Sequence, residues 1–210
     1  KLNVTKPGQI VKLGSIKAEF IRTNHSIADA CAIALHTPVG IVLHTGDFKI
    51  DYTPPQGDTT DLSTFAKYGS EGVLAFLSDS TNAERRGNSA SEKTVGKSFE
   101  GFFEKAGNKR IIIATFASNI YRIQQILDLA VQHNRKVAVS GRSMMNNIAM
   151  AFELGYLNAP ENVVIENVNI KYRDNKEEIY IREEGVGYEA MIEYPEITRL
   201  SSIYISSHEE

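Results

Sequence analysis

Three of the five histidines fall within residues 23–51, a stretch reading TNHSIADACAIALHTPVGIVLHTGDFKID that carries His25, His36, His44 and, near its end, Asp47. Imidazole and carboxylate are the donor types suited to a hydrolytic zinc, and a carboxylate has two oxygens with which to bridge a pair of metals. His25 precedes a predicted hairpin, ACAIALHT and GIVLHTGD joined by Pro38-Val39-Gly40, and Asp47 follows it. Such a hairpin returns both residues to one rim of a sheet. The same pair also has an ordinary reading, a turn-capping aspartate and a hydrogen-bonded histidine. His36 and His44 lie on the hairpin strands and read as strand residues. His133 closes a predicted helix, where a cationic side chain suits the macrodipole.

A second set of polar residues follows the apolar runs further along, in SDSTN, FASN and SGRS. Here Ser118, Asn119, Arg122, Arg142 and Ser143 fall at strand ends and helix starts. Backbone donors at a helix N-terminus, joined by a guanidinium, make a phosphate contact. The ordinary alternative is capping by Asn119 and Ser143, with the arginines on a solvated face. Arg85, Arg86, Lys93 and Lys97 would form a basic lip for a nucleic-acid backbone, or simply solvated surface.

The elements that must position these residues change character along the chain. Residues 1–50 read as short β-strands: QIVKLG, IKAEFIRT after the Gly14 turn, and the hairpin. Residues 51–71 read as a connection with one short helix at about 62–68. From Gly72 strands and helices alternate: VLAFLSD, a helix at about 91–106, KRIIIATFA, a helix at 119–133, KVAVSG, and a helix at 143–157. Continuous apolar strands between amphipathic helices are the pattern of a doubly wound parallel sheet with helices on both faces. Ile120, Ile123, Ile126, Leu127, Ala130 and Val131 recur at helical spacing and are read as core. Ligands of such sheets collect beyond the carboxyl ends of the strands. From Glu161 onward, ENVVIEN would continue the sheet, NKEEIYIREEGVGYEAMIEY reads as a β-ribbon or a helix start, and LSSIYISSHEE reads as a final strand.

Bulk properties bound the function. With 210 residues, 42% apolar and 23% charged, the chain has room for one large domain or two small ones and a sizeable core. A net charge of -3 lacks the global basic signature of a nucleic-acid binder, so any polyanion must be held by a local basic groove. Cys31 is the single cysteine, which excludes an internal disulfide and a cysteine-cluster zinc site and fits a reducing compartment. No run reaches the roughly 18 apolar residues of a membrane span, and no signal pattern opens the chain, so a cytoplasmic location without membrane attachment is expected. The start at Lys1 rather than Met suggests a partial sequence.

The run FIRTNHSIADACAIALHTPVGIVLHTGDFKIDYTP resembles the metallo-β-lactamase fold as it occurs in ribonuclease J, a member of the β-CASP group of nucleases. SDSTNAERRG, ATFASNIYRIQQILDLA and VAVSGRSMMNNIAMAFELGYL resemble the β-CASP domain inserted into that fold. The resemblance runs from about residue 7 to about residue 158. It implies part of a metallo-β-lactamase αββα sandwich (1–60), a linker (61–71), a β-CASP domain (72–160) and a divergent or incomplete tail (161–210). By the same resemblance His25 matches a histidine ligand of one zinc, and Asp47 matches the aspartate that bridges two. Asp79 matches the acidic residue of the first β-CASP motif, which would tune the leaving-group side of the site; its ordinary reading is a turn cap.

The implied parent is a two-zinc ribonuclease, manganese or magnesium being alternatives, with 5′-to-3′ exonuclease and endonuclease activity. In it a metal-held hydroxide attacks the RNA phosphorus. Its substrate would be 5′-monophosphorylated single-stranded RNA, and its assembly a homo-oligomer or a ribonuclease complex. The chain departs from the family where H-x-H-x-D-H should precede His25. His208, in ISSHEE, only faintly resembles a later family histidine, because Ser207 replaces a glycine. His25 and Asp47 alone supply too few ligands for two zincs, so the isolated chain is expected to bind zinc weakly and not to catalyse. Two other readings stand beside this one: a non-catalytic RNA-binding or assembly module on a β-CASP scaffold, and a metallo-β-lactamase-fold hydrolase of a small molecule.

Overall fold

A computed structural model describes residues 2–81, 83–107, 109–165, 178–183 and 202–206, the last two segments through their backbone. The chain is mixed α/β and forms two compact units, Lys1–Lys93 and Thr94–Glu210.

The first unit is a five-stranded sheet in the order β1 (Ile10–Leu13), β2 (Ile16–Arg22), β3 (Cys31–Thr37), β4 (Gly40–His44), β5 (Ala75–Leu77), with one helix, α1 (Leu62–Glu71). The first four strands form the antiparallel meander that the turn signals predict. β5 differs from the sequence expectation. The alternating pattern assigns it to the head of the second sheet, yet it pairs parallel to β4, with Leu43 opposite Phe76. A parallel partner needs a crossover of a dozen or more residues, and the connection from Thr45 to Leu74, with α1 inside it, supplies one. An all-apolar strand has no periodicity to announce which sheet takes it.

Asp61 caps α1, accepting from the Thr64 amide at 3.1 Å and from the Ser63 and Thr64 hydroxyls. Gly72, at φ +86°, ends the helix by returning its amide to the Tyr68 carbonyl. The helix covers one face of the sheet, where Ile21, Ala32, Ala34 and Leu43 pack with Tyr68. Phe20, Ile33, Leu35 and Val42 alternate with these residues on the other face and are half-buried. The fully buried Tyr68 carries its hydroxyl inward. It donates to the Glu19 carboxylate and stands 3.0 Å from His36 Nε2. Burial, with Glu19 beside it, pushes the phenol far above its ordinary value.

The second unit is an all-parallel sheet in the order β10 (Ser202–Ser206), β6 (Arg110–Thr115), β9 (Glu178–Glu183), β7 (Lys136–Ser140), β8 (Val164–Ile165). Its helices are α2 (Glu92–Ala106), α3 (Ile120–Gln132) and α4 (Arg142–Glu153). The crossover β6–α3–β7 leaves one place between its strands, and β9 fills it. Strands from beyond Glu161 therefore stand in the middle and at both edges of this sheet. The helical spacing of α3 predicts its inner face correctly for Ile120, Ile123, Ile126, Leu127 and Ala130, which are buried with Phe99, Phe103, Ile111, Ile113, Val137 and Met144. Val131 is a correction: it is 40% exposed, because in the last turn of α3 its side chain faces a shallow hollow shared with Asp128, Asn158 and Pro160.

Candidate metal centre and polar rims

β2 and β4 both run antiparallel to β3, and β5 runs parallel to β4, so β2, β4 and β5 end on the same rim of the first sheet. His25, Asp47 and Asp79 follow those three strands. An isolated antiparallel bridge between Asn24 and Lys49 fastens the segments next to His25 and Asp47, the Lys49 amide donating to the Asn24 carbonyl at 2.7 Å. The rim is thus assembled by backbone pairing.

The turn that presents Asp47 has a strict local cause. Gly46 stands at φ +60°, and a Cβ there would lie 2.8 Å from the Cys31 carbonyl oxygen, a backbone atom that cannot swing aside. The Gly46 amide donates to His44 Nδ1 at 2.9 Å, which puts the proton of a neutral ring on Nε2. His44 therefore serves the turn. His36 belongs with Tyr68 and Glu19, its Nε2 3.7 Å from the carboxylate.

Asp47 is exposed, and His25 is half-buried with Nδ1 3.4 Å from the Ser26 hydroxyl. Asp79 accepts from the Thr81 amide at 2.9 Å and the Thr81 hydroxyl at 2.7 Å. These bonds, then the Phe48 amide and the neighbouring His25, hold its carboxyl below the usual carboxylate range. Asp79 thus caps the turn that follows β5, on the rim to which β2 and β4 also lead. The donors have the chemistry of a hydrolytic metal site, but their number is short. Among the described residues no three His, Cys, Asp or Glu side chains are grouped to hold a metal ion. These residues alone do not complete a metal centre.

One anchoring residue escapes a reading of the sequence. Asp51 is buried and accepts from the Thr53 amide at 2.9 Å and the Glu92 amide at 3.1 Å. Burial raises its pKa, but the bonds from Thr53, Ser91 and Glu92 and the charge of Lys49 prevail and hold it low. The D-x-T spacing is an available signal, since aspartate accepts from the amide two residues on.

In the second unit, Asn119 and Arg122 are 3% and 8% exposed. Asn119 is the N-cap of α3, accepting from the Arg122 amide at 3.1 Å. Ser118, Arg142 and Ser143 lie at the starts of α3 and α4, and all three are exposed. Ser143 is not the cap of α4; Gly141, at φ +106°, holds that position without a side-chain bond. Asn147 donates to the Ala117 carbonyl at 3.1 Å and ties α4 to the turn carrying Ser118. Arg85, Arg86, Lys93 and Lys97 are all exposed. His133 follows α3 with its ring 5.4 Å from that of Phe103. His208 lies outside the described residues.

A family model described as the beta-CASP domain of ribonuclease J matches residues 108–202. The chain is 50% identical to a ribonuclease J of Synechocystis sp. over 165 residues, 78% of this chain and 26% of that protein. It is 44% identical to a ribonuclease J of Helicobacter pylori, over 79% of this chain and 24% of the relative, and 41% identical to ribonuclease J2 of Bacillus subtilis, over 80% and 30%. The chain thus spans about a quarter of the length of these relatives. A crystal structure of a protein of unknown function from Enterococcus faecalis V583 is similar with a TM-score of 0.65, covering 98% of this chain and 55% of that one. At 12% identity this likeness concerns the fold alone.

Proposed function

Because the chain belongs to the ribonuclease J family, within the β-CASP group, we propose that it contributes one part of a metal-dependent RNA phosphodiester hydrolase. The family is metal-dependent, and its relatives act as ribonucleases by name. The observation that carries the reading for this chain is the convergence of His25, Asp47 and Asp79 on one rim of the first sheet. In this reading His25 and Asp47 are ligands within a set of two zincs, with manganese or magnesium as alternatives. Asp79, ionised and held by Thr81, is the carboxylate beside them. Ser118, Arg142 and Ser143 are the groups available to an RNA phosphate. The substrate is single-stranded RNA with a 5′-monophosphate, cut by exonuclease and endonuclease action, in a homo-oligomer or ribonuclease complex of the cytoplasm. No helix among the described residues is long and apolar enough to cross a membrane.

The isolated chain binds zinc weakly and leaves 5′-monophosphorylated RNA intact, because each catalytic zinc takes three protein ligands and this rim offers fewer. Zinc titration by calorimetry tests the first half, and an RNA cleavage assay the second. A weak isotherm that His25→Ala and Asp47→Ala each flatten is expected; an affinity indifferent to both substitutions removes them from the ligand set. Robust RNA turnover abolished by Asp47→Ala would overturn the inactivity. The small donor number also favours a second reading, an RNA-binding scaffold without catalysis. Salt-sensitive RNA binding in the absence of metal supports it, since counterion release makes phosphate contacts salt-dependent.

A further inference from the structure

Resting on the reading of His25, Asp47 and Asp79 as one catalytic rim, we propose that Thr45 and Thr60 are positioning residues that set these three groups relative to one another. Each does so through one buried hydroxyl that ties two chain segments.

Thr60 is 8% exposed and lies in the connection between Asp51 and α1. Its hydroxyl accepts from the Asn24 amide at 2.9 Å and donates to the Lys49 carbonyl at 3.1 Å. Asn24 precedes His25, and Lys49 is two residues past Asp47. The direct bond between these segments is a single bridge, Lys49 to Asn24. The Thr60 hydroxyl satisfies the backbone groups that the bridge leaves over, the donor of one segment and the acceptor of the other. Without it, one hydrogen bond would fix the histidine to the aspartate loop.

Thr45 is 2% exposed and starts the turn that presents Asp47. Its amide donates to the Leu77 carbonyl at 3.0 Å, continuing the β4–β5 pairing by one step. Its hydroxyl accepts from the Asp79 amide at 2.9 Å and donates to the Gly46 carbonyl at 2.7 Å. The backbone of Asp79 is thereby held to the Asp47 turn.

A hydroxyl accepts and donates at once on a side chain small enough to stay buried. Valine has the same shape and can do neither, so it leaves the Asn24 or the Asp79 amide without its acceptor. Thr23 is the contrast within the same rim: it is 5% exposed, and its hydroxyl has no hydrogen-bond partner among the described residues. Burial of a threonine is therefore not what makes the clasp.

The test compares Thr60→Val, Thr45→Val, the two serine variants and Thr23→Val in this chain, by amide hydrogen exchange and by the His25 ring signals in NMR spectra. Thr60→Val is expected to speed exchange at Asn24 and Lys49 by about five- to tenfold, the loss of roughly one hydrogen bond, and Thr45→Val to do the same at Asp79. Serine restores wild-type rates, and Thr23→Val leaves them unchanged. Asp79→Asn shifts the His25 ring signals in the wild-type and serine backgrounds, and the shift shrinks in the valine backgrounds. Wild-type exchange at Asn24 and Asp79 in the valine variants overturns the proposal, as does an equal effect from Thr23→Val. If a valine variant loses its fold, accelerated exchange at these amides in the serine variant overturns it instead. None of these measurements needs metal or RNA. A zinc titration that removes His25 and Asp47 from the ligand set would therefore overturn the functional reading while leaving the two hydroxyl clasps to stand or fall by exchange.

Discussion

In the unit Thr94–Glu210 three helices and the strands β6 and β7 share a broad apolar core from Phe99 to Val163, whereas in Lys1–Lys93 a single helix covers one sheet face over Ile21, Ala32, Ala34, Leu43 and Tyr68. The first of these cores gathers aliphatic, phenylalanine and methionine side chains, in a unit that also buries Arg110, Thr115, Gln124 and Arg135. The second includes a tyrosine whose hydroxyl must find Glu19 and His36, and its sheet leaves Phe20, Ile33, Leu35 and Val42 half-buried on the other side. The unit with the smaller core also holds its backbone with polar clasps, from Asp51, Asp61, Thr45 and Thr60. Where apolar burial is limited, directional bonds fix the geometry, and the candidate rim is found in that unit. The second unit adds polar clasps to its larger apolar core, Arg135 donating to the Gly107 and Lys109 carbonyls and Gln124 to the Asn158 carbonyl.

Three substitutions press on this contrast, the largest effect first. Ile123→Ala removes a side chain with no exposed surface from the larger core and is expected to cost about 3 kcal/mol, read by urea unfolding followed at amides of the second unit. A cost below about 1 kcal/mol would show that this core is not close-packed. Tyr68→Phe keeps the shape of the smaller core but strips Glu19 and His36 of their shared hydroxyl. A loss of about 1–2 kcal/mol is expected at amides of the first unit, with the second unit unchanged.

Asp61→Ala is expected to cost about 1 kcal/mol, read by exchange in α1 at neutral pH. The bonds from Ser63 and Thr64 hold the Asp61 carboxyl low in the folded chain. Its stabilisation is therefore present above the ordinary carboxylate value, about 3.9, and is lost as pH falls through the lower folded value. The gap between wild type and Asp61→Ala should close on acidification. A gap that persists at about pH 2 would assign the effect to something other than the ionised cap.

Much of the fold is legible because it follows from local pattern. The apolar residues of α3 announce their face by helical spacing, and Pro38-Val39-Gly40 announces the hairpin of β3 and β4. The common rim of His25 and Asp47 follows from that hairpin. The burial of Asn119 and Arg122 is less legible, since a cap and a phosphate donor have the same residue types at the same place. Val131 falls on the right helical face, but the end of α3 leaves that part of the face open.

The sequence by itself determined the alternation of strands and helices, the hairpin that precedes Asp47, and the family, because each rests on residues close together in the chain or on motifs read in order. Tertiary structure alone decided that β5 pairs with β4, that β9 stands between β6 and β7, and that Asp79 joins His25 on one rim. It alone decided that the hydroxyls of Thr45 and Thr60 each join two segments. Apolar strands carry no label for their partners, and a hydroxyl bridging residues 36 apart leaves no spacing to read. Pairing of this kind is chosen by which arrangement best satisfies the buried backbone donors and acceptors together, a condition on the whole fold rather than on any stretch of it.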